Sequence, residues 1–199
     1  MREFKQKIGN KEFIATVEKE LEPQLLSLFY ILKNMNEEEL INGFSFQIGW
    51  SIYFLEEINK DSFVILTNDT SKNPFEDKTK DLTLALWVQL EQGHFLRKLN
   101  LEGKSISFSD KIILQKNILT FDTMYMQRSS DVELGDSGWY IGSIEEDNSE
   151  EDLYALYAYQ LLKQKPEIIQ VLALPDEYMV IYENNEIKTV MNENDEPVL

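Results

Sequence analysis

A single histidine, a serine in a turn and an excess of carboxylates are the side chains of this sequence that could do chemistry. His94 stands between Gly93 and Phe95. As a general base it would need a nucleophile and an orienting acid beside it, and one histidine cannot build a His-rich metal centre. It reads as an ordinary surface or core-edge residue. Ser137 follows Asp136 and precedes Gly138, but Gly135-Asp136-Ser137-Gly138-Trp139 is not the Gly-x-Ser-x-Gly elbow that exposes a nucleophile. Asp, Ser and Gly in a row suit a turn entering a strand. Two carboxylates can hydrolyse a glycoside, with Asp136 the least implausible member of a pair, yet among 36 Asp and Glu some pair is inevitable. The absence of cysteine excludes disulfides, thiolate zinc sites and thiol catalysis. With no Gly-rich phosphate loop, Walker lysine or dinucleotide fingerprint, no catalytic residue, cofactor or metal is expected.

Binding is better supported than catalysis. The 199 residues carry 36 acids against 19 bases, a net charge of −17 and a pI near 4.4. Such a surface repels phosphate backbones and anionic lipid, so neither nucleic acid nor membrane is an expected partner. The charge is uneven, at −4 over residues 1–113 and −13 over residues 114–199. No lysine or arginine falls between Arg128 and Lys163, while Asp131, Glu133, Asp136, Glu145, Glu146, Asp147, Glu150, Glu151 and Asp152 do. This is either a solvated acidic loop kept for solubility or a docking face for a basic partner. The run Glu145-Glu146-Asp147-Asn148 lacks the alternating ligands and central glycine of a calcium loop. Trp139, Tyr140, Tyr154, Tyr157 and Tyr159 lie beside or within the window, and aromatic anchors ringed by charge are what protein interfaces use. The expected partner contacts are Asp136, Trp139, Tyr140, Glu145, Glu146, Asp147, Glu150, Glu151 and Tyr154. Tyr157, at helical spacing with Leu153 and Leu161, is expected in the core.

The elements that must position these residues follow from periodicity. Phe4–Ile8 and Glu12–Val17 flank Gly9-Asn10 as either a short hairpin or a loose N-terminal lead-in. From Pro23, apolar residues at 25, 28, 29 and 32 predict a helix ending at Asn34. Phe44, Phe46, Ile48, Trp50 and Ile52 alternate with polar residues and predict one strand, followed by an antiparallel partner over Ser62–Thr67. Residues 68–80 read as a loop around Asn73-Pro74. Residues 82–100 alternate at first but are rich in Leu, Gln and Glu, which predicts a helix with Asp81 as its cap. Ile106 to Leu114 reads as short and irregular. Strands are predicted over Phe121–Gln127 and Gly138–Ile144. Ser149 and Asp152 resemble a capping box for a helix carrying Leu153, Leu156, Tyr157 and Leu161, stopped by Pro166. A short helical piece over Glu167–Leu172 precedes a hairpin turning at Asn184-Asn185, and residues 191–199 read as frayed. Strands interleaved with about three helices, without βαβ alternation, make the fold class α+β.

The ordered pattern around Asp136-Ser137-Gly138-Trp139 resembles the immunity protein 33 domain family of bacterial toxin–immunity loci. The likeness covers residues from about 118 to 190. It includes Met124-Tyr125 on a strand, the Asp-Ser-Gly-Trp core, an acidic stretch, Lys165-Pro166-Glu167-Ile168-Ile169 and a closing Tyr178-Met179-Val180 hairpin. Where the family continues through a basic or aromatic pair into a Ser-Gly-Asp-Glu-like turn, this chain reads Tyr140-Ile141-Gly142-Ser143-Ile144-Glu145-Glu146. The resemblance implies a non-enzymatic protein that neutralises a cognate toxin by binding it, and it supplies no catalytic residues. A basic nuclease is one such toxin, because an acidic inhibitor complements a surface built for an anionic substrate. The division expected on this basis is an N-terminal segment over 1–115 and an immunity-like domain over 116–199. The first residues lack an apolar run after their positive charge and no stretch is long enough to span a bilayer, so a cytoplasmic location is expected.

Overall fold

Gly9 and Asn10 turn the chain back on itself, so that β1 (Arg2–Ile8) and β2 (Lys11–Val17) pair antiparallel with Ile8 opposite Lys11. The computed structural model describes residues 1–144 and 153–199, and its fold is α+β. Its backbone groups into two units, Met1–Leu90 and Glu91–Leu199. Residues 91–115, assigned to the N-terminal segment on sequence, group with the second unit. Among the described residues no helix is long and apolar enough to cross a membrane.

In the first unit the hairpin is followed by α1 (Glu22–Lys33), which has Pro23 in its first turn and is followed by Asn34. β3 (Ser45–Ile48), β4 (Ser51–Asn59), β5 (Ser62–Asn68) and the two-residue β6 (Lys78–Thr79) complete a sheet of order β1-β2-β5-β4-β3, with β6 beside β5. β2 and β5 run parallel, and the other pairs are antiparallel. Leu25, Leu28, Phe29 and Leu32 of α1 share one core with Phe13, Ala15 and Val17 of β2, Tyr53 and Leu55 of β4, and Phe63 and Ile65 of β5. Each large side chain buried there stabilises by about 1.5–3 kcal/mol.

The single strand expected from Phe44 to Ile52 is instead a hairpin. Gly49, with φ +56°, and Trp50 form a two-residue turn that pairs Ile48 with Ser51. A two-residue turn places residue i opposite residue i+3, so the inward parity changes across it. Tyr53 and Leu55 become the buried positions of β4, while Ile52 is half-buried. The alternation in the sequence runs unbroken through the turn and conceals it.

The helix expected over 82–100 is α2 (Thr83–Leu99), and Asp81 Oδ1 accepts the Thr83 N–H at 3.0 Å, satisfying one donor of the first turn. The second unit then has β7 (Lys111–Gln115), β8 (Thr123–Arg128), β9 (Asp136–Gly142), β10 (Leu153–Tyr157), the short α3 (Leu161–Gln164), a 3-10 segment over Pro166–Val171, β11 (Met179–Glu183) and β12 (Glu186–Met191). Their order is β10-β7-β9-β8-β11-β12, with β7 and β9 parallel and the remaining pairs antiparallel. Ile112, Leu114, Met124, Met126, Trp139, Ile141, Val180, Tyr182 and Val190 are buried on one face. Ile113, Tyr125, Tyr140, Met179 and Ile181 alternate with them on the other face and are half-buried.

Three expectations change in this unit. The stretch read as irregular holds β7, an interior strand. Residues 153–157, expected to open a helix, form β10, and Tyr157 is half-buried rather than core. Pairing with β7 decides this, because a short apolar run such as Leu-Tyr-Ala-Leu-Tyr suits either conformation locally. The proposed cap at Ser149 and Asp152 lies outside the described residues. The end of the chain is not frayed: Met191 bridges Pro197, and the Val198 N–H donates to Val190 O at 2.8 Å.

Candidate functional site

The Asp136-Ser137-Gly138-Trp139 motif is a bulge at the start of β9. Lys111 pairs with Asp136 and Ile113 with Tyr140, so three residues of β9 oppose one of β7. Asp136 Oδ1 accepts the Gly138 N–H at 2.8 Å. Ser137 Oγ donates to Lys111 O at 2.7 Å and accepts the Trp139 N–H at 3.1 Å, so the buried hydroxyl is a structural link. Gly138 has φ +79°, and a Cβ there would lie 2.5 Å from Ser129 O. Only glycine fits.

The bulge aims Trp139 inward. Its side chain is fully buried, and its indole N–H donates to Leu172 O at 3.1 Å. Arg128, paired with Trp139 across β8 and β9, is buried and donates to Lys104 O at 2.6 Å and to Leu174 O. Asp176 lies 3.3 Å from Arg128 Nε and also pairs with Lys104. Burial pulls the Arg128 guanidinium below its usual value, while Asp176 and Asp110 oppose that fall.

The Lys165-Pro166-Glu167-Ile168-Ile169 segment is internal in part, with Pro166 exposed and Glu167 half-buried. Ile168 and Ile169 are fully buried, and Gln92 Nε2 donates to Ile169 O at 3.2 Å. Lys165 Nζ donates to Asn185 Oδ1 at 2.6 Å and to Leu119 O at 3.3 Å, tying this segment to the β11–β12 turn, whose Asn184 and Asn185 both have positive φ.

A match in sequence now coincides with this architecture. The model of the Imm33-like domain fits residues 91–193, more than half of the chain. The chain belongs to the Imm33-like domain family. Its match takes in the whole second sheet and begins where the second unit begins, well upstream of the 118–190 stretch that carries the recognisable motifs. No curated protein and no solved structure matches the chain.

The contacts expected from the sequence are scattered over this Imm33-like domain. Trp139 is a correction: a side chain sealed in the core offers no surface to a partner. Tyr140 lies on the outer face, where its ring centroid is 5.7 Å from that of Tyr125. Burial and then Tyr125 raise the Tyr140 phenol above its ordinary value near 10. Tyr154 is exposed at 38% but belongs to the opposite face, at the β10 margin, where its phenol is raised by partial burial. Asp136 sits at the Lys111 end of β7, whereas Leu153 pairs with Gln115 at the other end. Glu145, Glu146, Asp147, Glu150 and Glu151 lie outside the described residues. Sequence reasoning missed Tyr125 as the neighbour of Tyr140, although its place on an alternating strand carried that signal, and it missed β10 as an open edge.

His94 is exposed and lines an open groove of about 460 Å³ with Glu91, Lys98, Asn185 and Glu186. Among the described residues no three His, Asp or Glu side chains converge as metal ligands.

Proposed function

We propose that this Imm33-like protein neutralises a cognate bacterial toxin in the cytoplasm by binding it, without chemistry of its own. Membership of the family over residues 91–193 carries the reading. The −13 charge of residues 114–199 supports a basic partner, for which a nuclease is the natural candidate. The toxin contacts are Tyr154 at the β10 margin and the acids Glu145, Glu146, Asp147, Glu150 and Glu151 that precede it in the sequence, while Tyr140 on the other face and Asp136 at the far end of β7 belong to a separate patch. Trp139 serves that patch indirectly by holding the bulge from which Tyr140 projects.

The test is co-expression with the toxin encoded beside this gene, scoring survival and co-purification. The wild-type chain is expected to protect and to co-purify. Association should slow as salt rises, because exposed charges are screened beyond about 8 Å at physiological ionic strength. Replacing Glu145, Glu146 and Asp147 together with Ala should slow association about tenfold. An unchanged rate and undiminished survival would remove the acidic run from the interface.

A further inference from the structure

Among the described residues, the outer side of β10 is an open sheet edge. β10 ends the second sheet and pairs with β7, and among the described residues no strand lies on its other side. Ala158 N–H donates to Asp110 O at 2.9 Å, which sets the alternation of the ladder. Residues 154 and 156 therefore turn their backbone groups toward β7, while 153, 155 and 157 turn theirs outward. The Tyr157 N–H is taken by Gln160 Oε1 at 2.9 Å. Among the described residues, nothing pairs with the outward N–H and C=O groups of Leu153 and Ala155.

The other edges are guarded, and among the described residues nothing guards this one. β1 carries Arg2, Glu3, Lys5 and Lys7 along its length. β12 carries Glu186 and Lys188 and is bridged by the returning chain at Pro197. β3 is only four residues long. β10 reads Leu-Tyr-Ala-Leu-Tyr, with no charge, proline or glycine, and Leu153, Tyr154 and Ala155 are exposed. Open edges of this kind pair with other chains unless something prevents it.

We propose that β10 is a strand-addition edge, on which an extended lysine- or arginine-bearing segment of the partner protein pairs main chain to main chain. Charge selects that occupant. β10 lies in the stretch from Arg128 to Lys163 that contains no other lysine or arginine, within a region of net −13. A basic segment is attracted to so acidic a chain, whereas a second copy of it brings another −17. Main-chain pairing supplies affinity and alternate side chains supply selectivity. The proposal rests on the toxin-binding reading and names how that partner docks.

Ala155→Pro separates pairing from folding, because the N–H it removes faces away from β7 and proline is tolerated on such an edge. The probe is a labelled peptide alternating lysine and valine over about eight residues, compared with one methylated at alternate backbone nitrogens and one with glutamate for lysine. Fluorescence anisotropy with the full chain at low salt should show binding of the first peptide alone. Ala155→Pro should weaken it about tenfold or more, with circular dichroism and Tm unchanged. Equal binding of all three peptides, failure of the first to bind, or full affinity in a folded Ala155→Pro chain overturns the proposal. The methylated peptide on the unmodified chain decides the matter should the variant not fold. A wild-type dimer dissolved by Ala155→Pro also overturns it, since a second copy then occupies the edge. In co-expression, equal protection by the wild-type and Ala155→Pro chains sinks the edge and leaves the immunity reading standing. No protection by the wild-type chain, with the peptide results as expected, does the reverse.

Discussion

The guanidinium of Arg128 lies over the indole of Trp139, with its central carbon 5.9 Å from the ring centroid. The pair joins two strands to the loops that cap them, since Trp139 holds Leu172 O while Arg128 holds Lys104 O and Leu174 O. The most recognisable motif of this Imm33-like chain is therefore an internal fastening. Its residues specify the sheet, and the surface that meets a partner must be drawn from less conspicuous positions.

Arg128→Met should destabilise the second unit by about 3–5 kcal/mol, because it leaves Asp176 without its buried partner and strands backbone carbonyls. Urea denaturation measures this. Adding Asp176→Asn should cost less than the sum of the two single changes, as expected of residues in contact. A loss below about 1 kcal/mol for Arg128→Met would mean that the guanidinium is not integral to the fold.

Trp139→Phe should lower stability by about 1–3 kcal/mol through the lost hydrogen bond to Leu172 O and the emptied volume. Toxin affinity of the folded variant should match that of the wild type. A clear affinity loss with unchanged stability would return Trp139 to the interface.

Gly138→Ala should destabilise by about 1–3 kcal/mol from the positive φ alone, and further from the contact with Ser129 O. The thermal midpoint reports it. Gly135→Ala is an informative control: Gly135 also has positive φ, at +87°, but a Cβ there meets nothing within 4 Å. It should lose less.

Tyr53 and Tyr182 are buried phenols, and burial raises both well above the ordinary value near 10, with Glu167 adding to the rise at Tyr182. Each holds its proton in the folded chain at a pH where the unfolded chain has released it. Their contribution is thus complete below about pH 10 and declines as pH rises beyond it. Stability measured in urea should fall as pH rises beyond about 10, and Tyr182→Phe should reduce the slope for the second unit. An unchanged slope would assign the alkaline loss to other groups.

The sequence by itself determined the elements whose signals are local. Leu25, Leu28, Phe29 and Leu32 at helical spacing made α1, the composition after Asp81 made α2, and Asn184-Asn185 turned the last hairpin. Its order of motifs also indicated the family, and its 36 carboxylates the electrostatic character. Local signals misled where two conformations fit equally well. The alternation from Phe44 to Ile52 survives a two-residue turn, and Leu153–Tyr157 suits a helix until β7 lies beside it. Tertiary structure alone decided that Trp139 faces inward and Tyr140 outward, because a bulge set by the pairing of β9 with β7 fixes their directions. It alone decided that Asp136 and Tyr154 lie apart and that β10 ends its sheet. Which strand becomes an edge depends on pairings between residues distant in sequence, and no local pattern of side chains encodes them.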